Sequence, residues 1–205
     1  MTTLPPLVGL IGRQRSGKDT FAATLVEEFR YRRVAFADPL RQAAYALDPL
    51  VGPCALPGDL VAKYRRLSYV VDAIGWESAK DTVPEVRATL QRLGTNAIRA
   101  LDEDFWVRAG MATVAEHRAT VRRWPSGEFY MPGRPVVVTD VRFPNEAEAV
   151  RRAGGVLVRV VRPGADGGGH ATETALDDYP EDFLVDNDGT LEDLATEART
   201  VASLV

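Results

Sequence analysis

Gly12-Arg13-Gln14-Arg15-Ser16-Gly17-Lys18-Asp19-Thr20 decides how the rest of this chain is read. The stretch follows the apolar run Leu7-Val8-Gly9-Leu10-Ile11 and precedes a helical pattern from Phe21 to Phe29. Strand, glycine loop and helix in that order form the setting of a phosphate-binding P-loop. Glycines let backbone N–H groups turn inward toward anionic oxygens, and the helix N-terminus adds its positive dipole. Lys18 is then placed to reach terminal phosphates. One position departs from the common pattern G-x-x-x-x-G-K-[ST]: Asp19 stands where a magnesium-binding hydroxyl is usual, and Thr20 follows it.

Working outward, apolar and β-branched runs recur at Leu7–Ile11, Arg33–Ala37, Val136–Thr139, Val156–Val161 and Phe183–Val185. Helical patterns lie between them, so the fold class is α/β: a mostly parallel five-stranded sheet flanked by helices, built as one P-loop domain over 1–205. Asn145 with Glu148, and Thr190 with Asp193, read as capping boxes that open two helices. The stretch 48–133 breaks the alternation. Pro49, Pro53 and Pro57 mark an irregular entry, helices fit Asp59–Ala73, Pro84–Ala100 and Asp104–Ala119, and Arg122–Pro135 is turn-rich. A helical insertion beside a P-loop core is expected to hold the second substrate. A further segment, 163–180, contains Gly167-Gly168-Gly169 and lacks apolar periodicity, which suggests a mobile lid with few core contacts.

Composition bounds the function. The 205 residues carry a net charge of -4, which argues against nonspecific nucleic-acid binding but leaves room for a local basic pocket. A single cysteine, Cys54, permits no internal disulfide and suits a reducing cytoplasm. The N-terminus has no basic region before the P-loop, so no signal peptide is expected. No apolar run approaches the roughly 20 residues of a membrane span. Two histidines and one cysteine supply no clustered zinc set.

Other motifs carry the chemistry. Val136-Val137-Val138-Thr139-Asp140 is an apolar strand ending in an acid, the place where P-loop proteins hold magnesium directly or through water, and Arg142 follows two residues later. In Phe36-Ala37-Asp38-Pro39-Leu40-Arg41, Asp38 and Pro39 suit a helix cap and first turn, and Arg41 is the better phosphate ligand. Leu90, Leu93, Ala97 and Leu101 form one apolar helix stripe, with Gln91, Arg92, Thr95, Asn96 and Arg99 on the other side. Gly94 inside that helix costs roughly 1 kcal/mol against alanine, which points to close backbone approach or a break. Trp76 and Trp106 fit either a core or a stacking role. Asn187, after the last strand, reads as part of an adenine-side loop.

These segments together resemble the phage-type deoxynucleoside monophosphate kinases. The resemblance runs in order through G-x-x-R-S-G-K-D-T at Gly12–Thr20, F-A-x-P-[LI]-[RK] at Phe36–Arg41, E-V-R at Glu85–Arg87, L-G-T at Leu93–Thr95 and F-W-V at Phe105–Val107. It continues through D-V-R at Asp140–Arg142, V-R-P-G at Val161–Gly164, H-x-T-E at His170–Glu173 and N-D-G-[TS]-L-E at Asn187–Glu192. It implies a nucleoside monophosphate kinase fold and transfer of the ATP γ-phosphoryl group to a deoxynucleoside 5′-monophosphate, with Mg²⁺. On that reading Gly12, Arg15, Ser16, Gly17, Lys18, Asp19, Thr20, Arg162 and Asn187 serve ATP, and Asp140 orients the ion, with a metal contact by Asp19 left open. Arg41, Arg87 and Arg142 clamp the acceptor phosphate. Gln14, Asp38, Leu40, Gln91, Gly94, Thr95, Arg99 and Trp106 shape the acceptor site, and Arg162, His170 and Glu173 close over it as a lid. The implied partners are nucleotides alone, in the cytoplasm (the host's, if phage-encoded), with a homodimer left open. Other small-molecule P-loop kinases, such as dephospho-coenzyme A or phosphomevalonate kinases, and P-loop switch or assembly ATPases are the alternatives.

Overall fold

A strand whose side chains are all apolar has no face to offer water, so it must lie in a sheet covered on both sides. The computed structural model, which describes residues 4–119, 121–122, 130–165 and 175–205, contains such a sheet. The chain begins β1 (Leu7–Ile11), α1 (Lys18–Phe29), β2 (Arg32–Val34). It continues α2 (Ala37–Leu47), β3 (Leu50–Cys54), β4 (Lys63–Arg66), α3 (Leu67–Thr82), α4 (Pro84–Gln91) and a π-helical stretch, Arg92–Arg99. After these come α5 (Phe105–Arg118), β5 (Val121–Arg122), β6 (Tyr130–Met131), β7 (Val136–Val138), α6 (Pro144–Arg152), β8 (Val156–Val161), β9 (Phe183–Asp186) and α7 (Leu191–Leu204). Two compact units result: Met1–Phe36 with Val107–Val205, and Ala37–Trp106. The second unit thus has limits different from the 48–133 read in the sequence.

In the first unit the five strands are all parallel, in the order β2-β7-β1-β8-β9. β1 is central, with Val8 opposite Val137 on one side and Val156 on the other. Alternation divides the core. Leu7 and Ile11 join Val136, Val138 and Leu157 on one face, while Val8 and Leu10 meet Phe21, Leu25, Val158 and Leu194 on the other. No helix of the described residues is long and apolar enough to cross a membrane.

Two starts differ from the sequence reading. α6 begins at Pro144, so Asn145 and Glu148 do not form its capping box. Pro144 sets φ for a first helical residue, and the Glu146 carboxylate reaches back to accept from the N–H groups of Arg142 (2.7 Å) and Phe143 (3.1 Å). α2 begins at Ala37, which puts Asp38 inside the first turn rather than at the cap. The Thr190–Asp193 box is present, with the two residues exchanging bonds of 2.8 and 3.2 Å.

The second unit packs α2, α3 and α4 with the β3–β4 hairpin around Ala44, Val51, Leu67, Val70 and Val86. The helix expected over Asp59–Ala73 begins only at Leu67. Asp59 is the reason: its carboxylate accepts from the Leu56 N–H (2.9 Å) and from Arg65 (2.7 Å), closing a turn that leads into β4. The helix expected over Pro84–Ala100 changes to π geometry at Arg92, and i→i+5 bonding throws the apolar stripe out of phase. Ala97 and Leu101 are accordingly exposed. A Cβ at Gly94 would lie 2.6 Å from Leu40 Cδ2, so close approach is what requires that glycine. Over Arg122–Pro135, β5 pairs antiparallel with β6, and 123–129 lie outside the described residues.

The backbone bond from Leu56 and the Arg65 guanidinium hold the Asp59 carboxyl at about 2. A depressed carboxyl stabilises the fold above its ordinary value of about 4 and loses that contribution as pH falls toward its folded value. Asp59→Asn is therefore expected to lower the melting temperature at neutral pH, with the difference from the parent shrinking as the solution is acidified through this window.

Candidate active site

The loop between β1 and α1 is held in a shape that side chains oppose. Gly12, Arg15 and Gly17 all have positive φ, at 132, 63 and 104°. A Cβ at Gly12 would meet the Val160 carbonyl oxygen at 2.3 Å, and one at Gly17 would meet Asn187 Nδ2 at the same 2.3 Å. That Asn187 amide donates to the Ser16 carbonyl at 2.8 Å, so it braces the loop from the end of β9. Lys18 arches over the loop, its Nζ donating to the carbonyls of Gly12 and Arg13 at 2.6 Å each. The Ser16 hydroxyl is buried without a hydrogen-bond partner among the described residues. A buried orphan of this kind marks a place for an unseen polar partner.

Around the loop, Gln14, Lys18, Arg142, Arg159 and Asp177 line one cavity. Arg162 and Ala165 line a second recess beside Gly12 and Ser16. Three cations, Lys18, Arg142 and Arg159, and one acid, Asp177, share the first cavity; Asp177 is paired with Arg13 at 3.1 Å and Arg159 with Glu181 at 2.9 Å. Asp140 follows β7, and its Oδ1 accepts the Phe36 N–H at 2.7 Å, which fixes the carboxylate at the carboxyl ends of the strands. Asp19 is exposed in the first turn of α1, where a negative charge suits the helix dipole.

The segment expected as a lid divides. His170 and Glu173 lie outside the described residues. At 175–180 the chain is anchored, against the expectation of few core contacts. Leu176 is buried in the core, and the Arg159 guanidinium donates to the carbonyls of Leu176 (2.9 Å) and Tyr179 (2.6 Å) and to Glu181.

In the second unit, Asp38, Arg41, Gln42, Tyr45 and Trp76 surround a cavity of about 460 Å³. The remaining sequence candidates are elsewhere in that unit. Arg87 is exposed and paired with Asp81 at 3.1 Å. Gln91 and Thr95 are exposed, Arg99 half-buried, and Leu40 packs on Gly94. Trp106 is buried, its Nε1–H donating to the Gly94 carbonyl at 3.2 Å and its ring edge-on to Phe105.

Residues 61–198 match the protein family described as Deoxynucleotide monophosphate kinase. The chain belongs to that family. A chain of Acanthamoeba polyphaga mimivirus is 27% identical over 200 residues, 93% of each. The Deoxynucleotide monophosphate kinase of Enterobacteria phage T4 is 30% identical over 122 residues, 58% of this chain and 46% of that one, so the match spans under half of the phage protein. Among solved structures, TT1252 from Thermus thermophilus is similar with a TM-score of 0.46 at 17% identity over 99% of both chains.

Sequence reasoning missed two residues that line the cavity beside the glycine loop. Arg159 was legible as the lone charge in the apolar strand Val156–Val161, yet nothing local said that it would line the cavity with Lys18. Asp177 carried no signal, since its role depends on Arg13, 164 residues away in the chain. Gly17→Ala is expected to leave the core intact while weakening pyrophosphate binding about tenfold or more, since left-handed φ with a Cβ costs about 1–2 kcal/mol before the clash with Asn187 is counted. Isothermal titration with pyrophosphate checks this.

Proposed function

We propose that this member of the kinase family transfers the γ-phosphoryl group of ATP to a deoxynucleoside 5′-monophosphate, giving ADP and the deoxynucleoside diphosphate. The observation that carries the reading is the glycine loop with Lys18, Arg142 and Arg159 gathered at one cavity. Phosphoryl transfer needs little covalent help from protein, because positioning and charge neutralisation supply most of the rate. The loop N–H groups and the Ser16 hydroxyl bind ATP phosphate oxygens. Lys18 gives up its two loop carbonyls for the β- and γ-phosphates. Arg142 and Arg159 serve the charge that spreads over the transferred group, and Arg162, in the recess beside Gly12 and Ser16, serves the donor nucleotide.

No group of three or more His, Cys, Asp or Glu side chains able to hold a metal occurs among the described residues. Kinase Mg²⁺ sites use one or two carboxylates plus the nucleotide's own oxygens, so Asp140 alone fits that donor set. Asp140 would hold the ion there, and Mg²⁺ would supply positive charge to offset that of the phosphates. The acceptor's own phosphate oxygen is the nucleophile, so no activated side chain is required. In the second unit Arg41 binds the acceptor phosphate.

Release of ADP, followed across deoxy- and ribonucleoside monophosphates, dephospho-coenzyme A and phosphomevalonate, tests the reading; turnover confined to the non-nucleotide acceptors overturns it. Lys18→Ala is expected to lower kcat 10²-fold or more, about 2.7 kcal/mol of transition-state stabilisation, in a chain that still folds. Arg41→Ala is expected to raise the KM for the monophosphate strongly, since losing one partner of a charge-assisted pair costs about 2–5 kcal/mol, with the KM for ATP little changed. Steady-state kinetics with each substrate varied in turn separate the two.

A further inference from the structure

The cavity of the second unit has a construction that the phosphate-binding role of Arg41 leaves unexplained. Asp38, Arg41, Gln42 and Tyr45 recur at i, i+3, i+4 and i+7, so they share one face of α2. α3 supplies the rest. It is broken at Gly75, whose φ of 77° and ψ of 162° lie in a region essentially confined to glycine. A Cβ there would meet nothing within 4 Å, so backbone conformation and not packing demands the glycine. Residues on both sides of the break tie back to α2. Asp72, before it, accepts from the Tyr45 hydroxyl at 2.9 and 3.0 Å. Glu77, after it, accepts from Arg41 at 3.0 Å and pairs with Lys80 at 2.6 Å. Burial alone would raise the Glu77 carboxyl, but Lys80 and Arg41 together hold it below the usual carboxylate range.

Trp76 sits in sequence between these ties. Its ring is half-buried, packed against the unit's apolar core and also lining the cavity. An aromatic surface, an amide able to donate and accept (Gln42), and a guanidinium at one cavity of about 460 Å³ match a flat heterocycle carrying a phosphate, and the volume falls in the range of small-molecule sites. The other tryptophan that could stack, Trp106, is buried with its N–H already engaged. Resting on the acceptor reading above, we infer that Trp76 is the platform on which the nucleobase of the acceptor monophosphate stacks, with Glu77 positioning Arg41 for its phosphate. Stacking on an aromatic face tolerates any base, so this platform binds purine and pyrimidine acceptors alike, and the Gln42 amide is left to discriminate between their edges.

Trp76→Leu keeps apolar bulk and removes the π face, while Trp76→Phe keeps a smaller one. The expected result for Trp76→Leu is a KM for the deoxynucleoside monophosphate raised about tenfold with kcat and the KM for ATP nearly unchanged, and Trp76→Phe recovers most of the loss. Inhibition by 2-deoxyribose 5-phosphate, which has the phosphate and no base, should be equal in parent and Trp76→Leu. An unchanged KM in folded Trp76→Leu overturns the inference, as does equal weakening of the baseless sugar phosphate. Should Trp76→Leu fail to fold, fluorescence titration decides: monophosphate addition quenches the parent, the quench disappears in Trp76→Phe, and a retained quench overturns the inference. That titration needs no turnover, so a chain that binds monophosphates on Trp76 without phosphorylating them would sink the proposed reaction and leave the platform standing. Turnover indifferent to Trp76 would do the reverse.

Discussion

The loop from Gly12 to Gly17 can exist only where two neighbours leave room for hydrogen and nothing larger. The Val160 carbonyl presses on Gly12 from β8, and the Asn187 amide presses on Gly17 from the end of β9. The rest of the first unit serves this fit. β1 is central in a parallel sheet, so the loop emerges at the carboxyl ends of its neighbours, where open α/β sheets bind ligands. Apolar burial on both faces, Phe21 and Leu25 against one and Leu157 against the other, fixes the strands that present Val160 and Asn187. A core that slackened would widen the loop as surely as a change in the loop itself.

Charge is managed locally and not by the chain as a whole. A protein of net charge -4 still gathers Lys18, Arg142 and Arg159 at one cavity. These cations are kept in order by groups that can release or share them. Lys18 rests on loop carbonyls, while Arg159 is fixed by Glu181 and two carbonyls and is only 13% exposed. Such half-buried pairing fixes the orientation of the guanidinium at the cavity.

The second unit solves a different problem. It surrounds a cavity with side chains from two helices, one of which cannot be regular. Gly75 breaks α3 so that Asp72 and Glu77 both reach α2. Gly94, in the π-helical stretch, makes room for Leu40. Glycine thus acts in this unit through helix irregularity, once for backbone conformation and once for close packing.

The strands β1 and β8, the glycine loop between β1 and α1, the C-terminal capping box and the family were all legible in the residues, because each rests on short-range rules: apolar runs, glycine spacing, a hydroxyl three residues before an acid. Boundaries failed where a side chain acted over a distance that local pattern does not encode. Asp59 drew Leu56 and Arg65 into a turn where a helix was expected, and Glu146 displaced Asn145 and Glu148 as the device opening α6. Trp76 and Trp106 were indistinguishable as letters. Only tertiary structure buried one against the Gly94 carbonyl and set the other at a cavity with Arg41. Arg159 and Asp177 likewise joined the cavity beside the glycine loop through pairings across the sheet and across 164 residues of chain. Local sequence determined which elements form and which chemistry is available; the packing of distant segments decided which side chains share a cavity, since burial and ion pairing depend on neighbours in space.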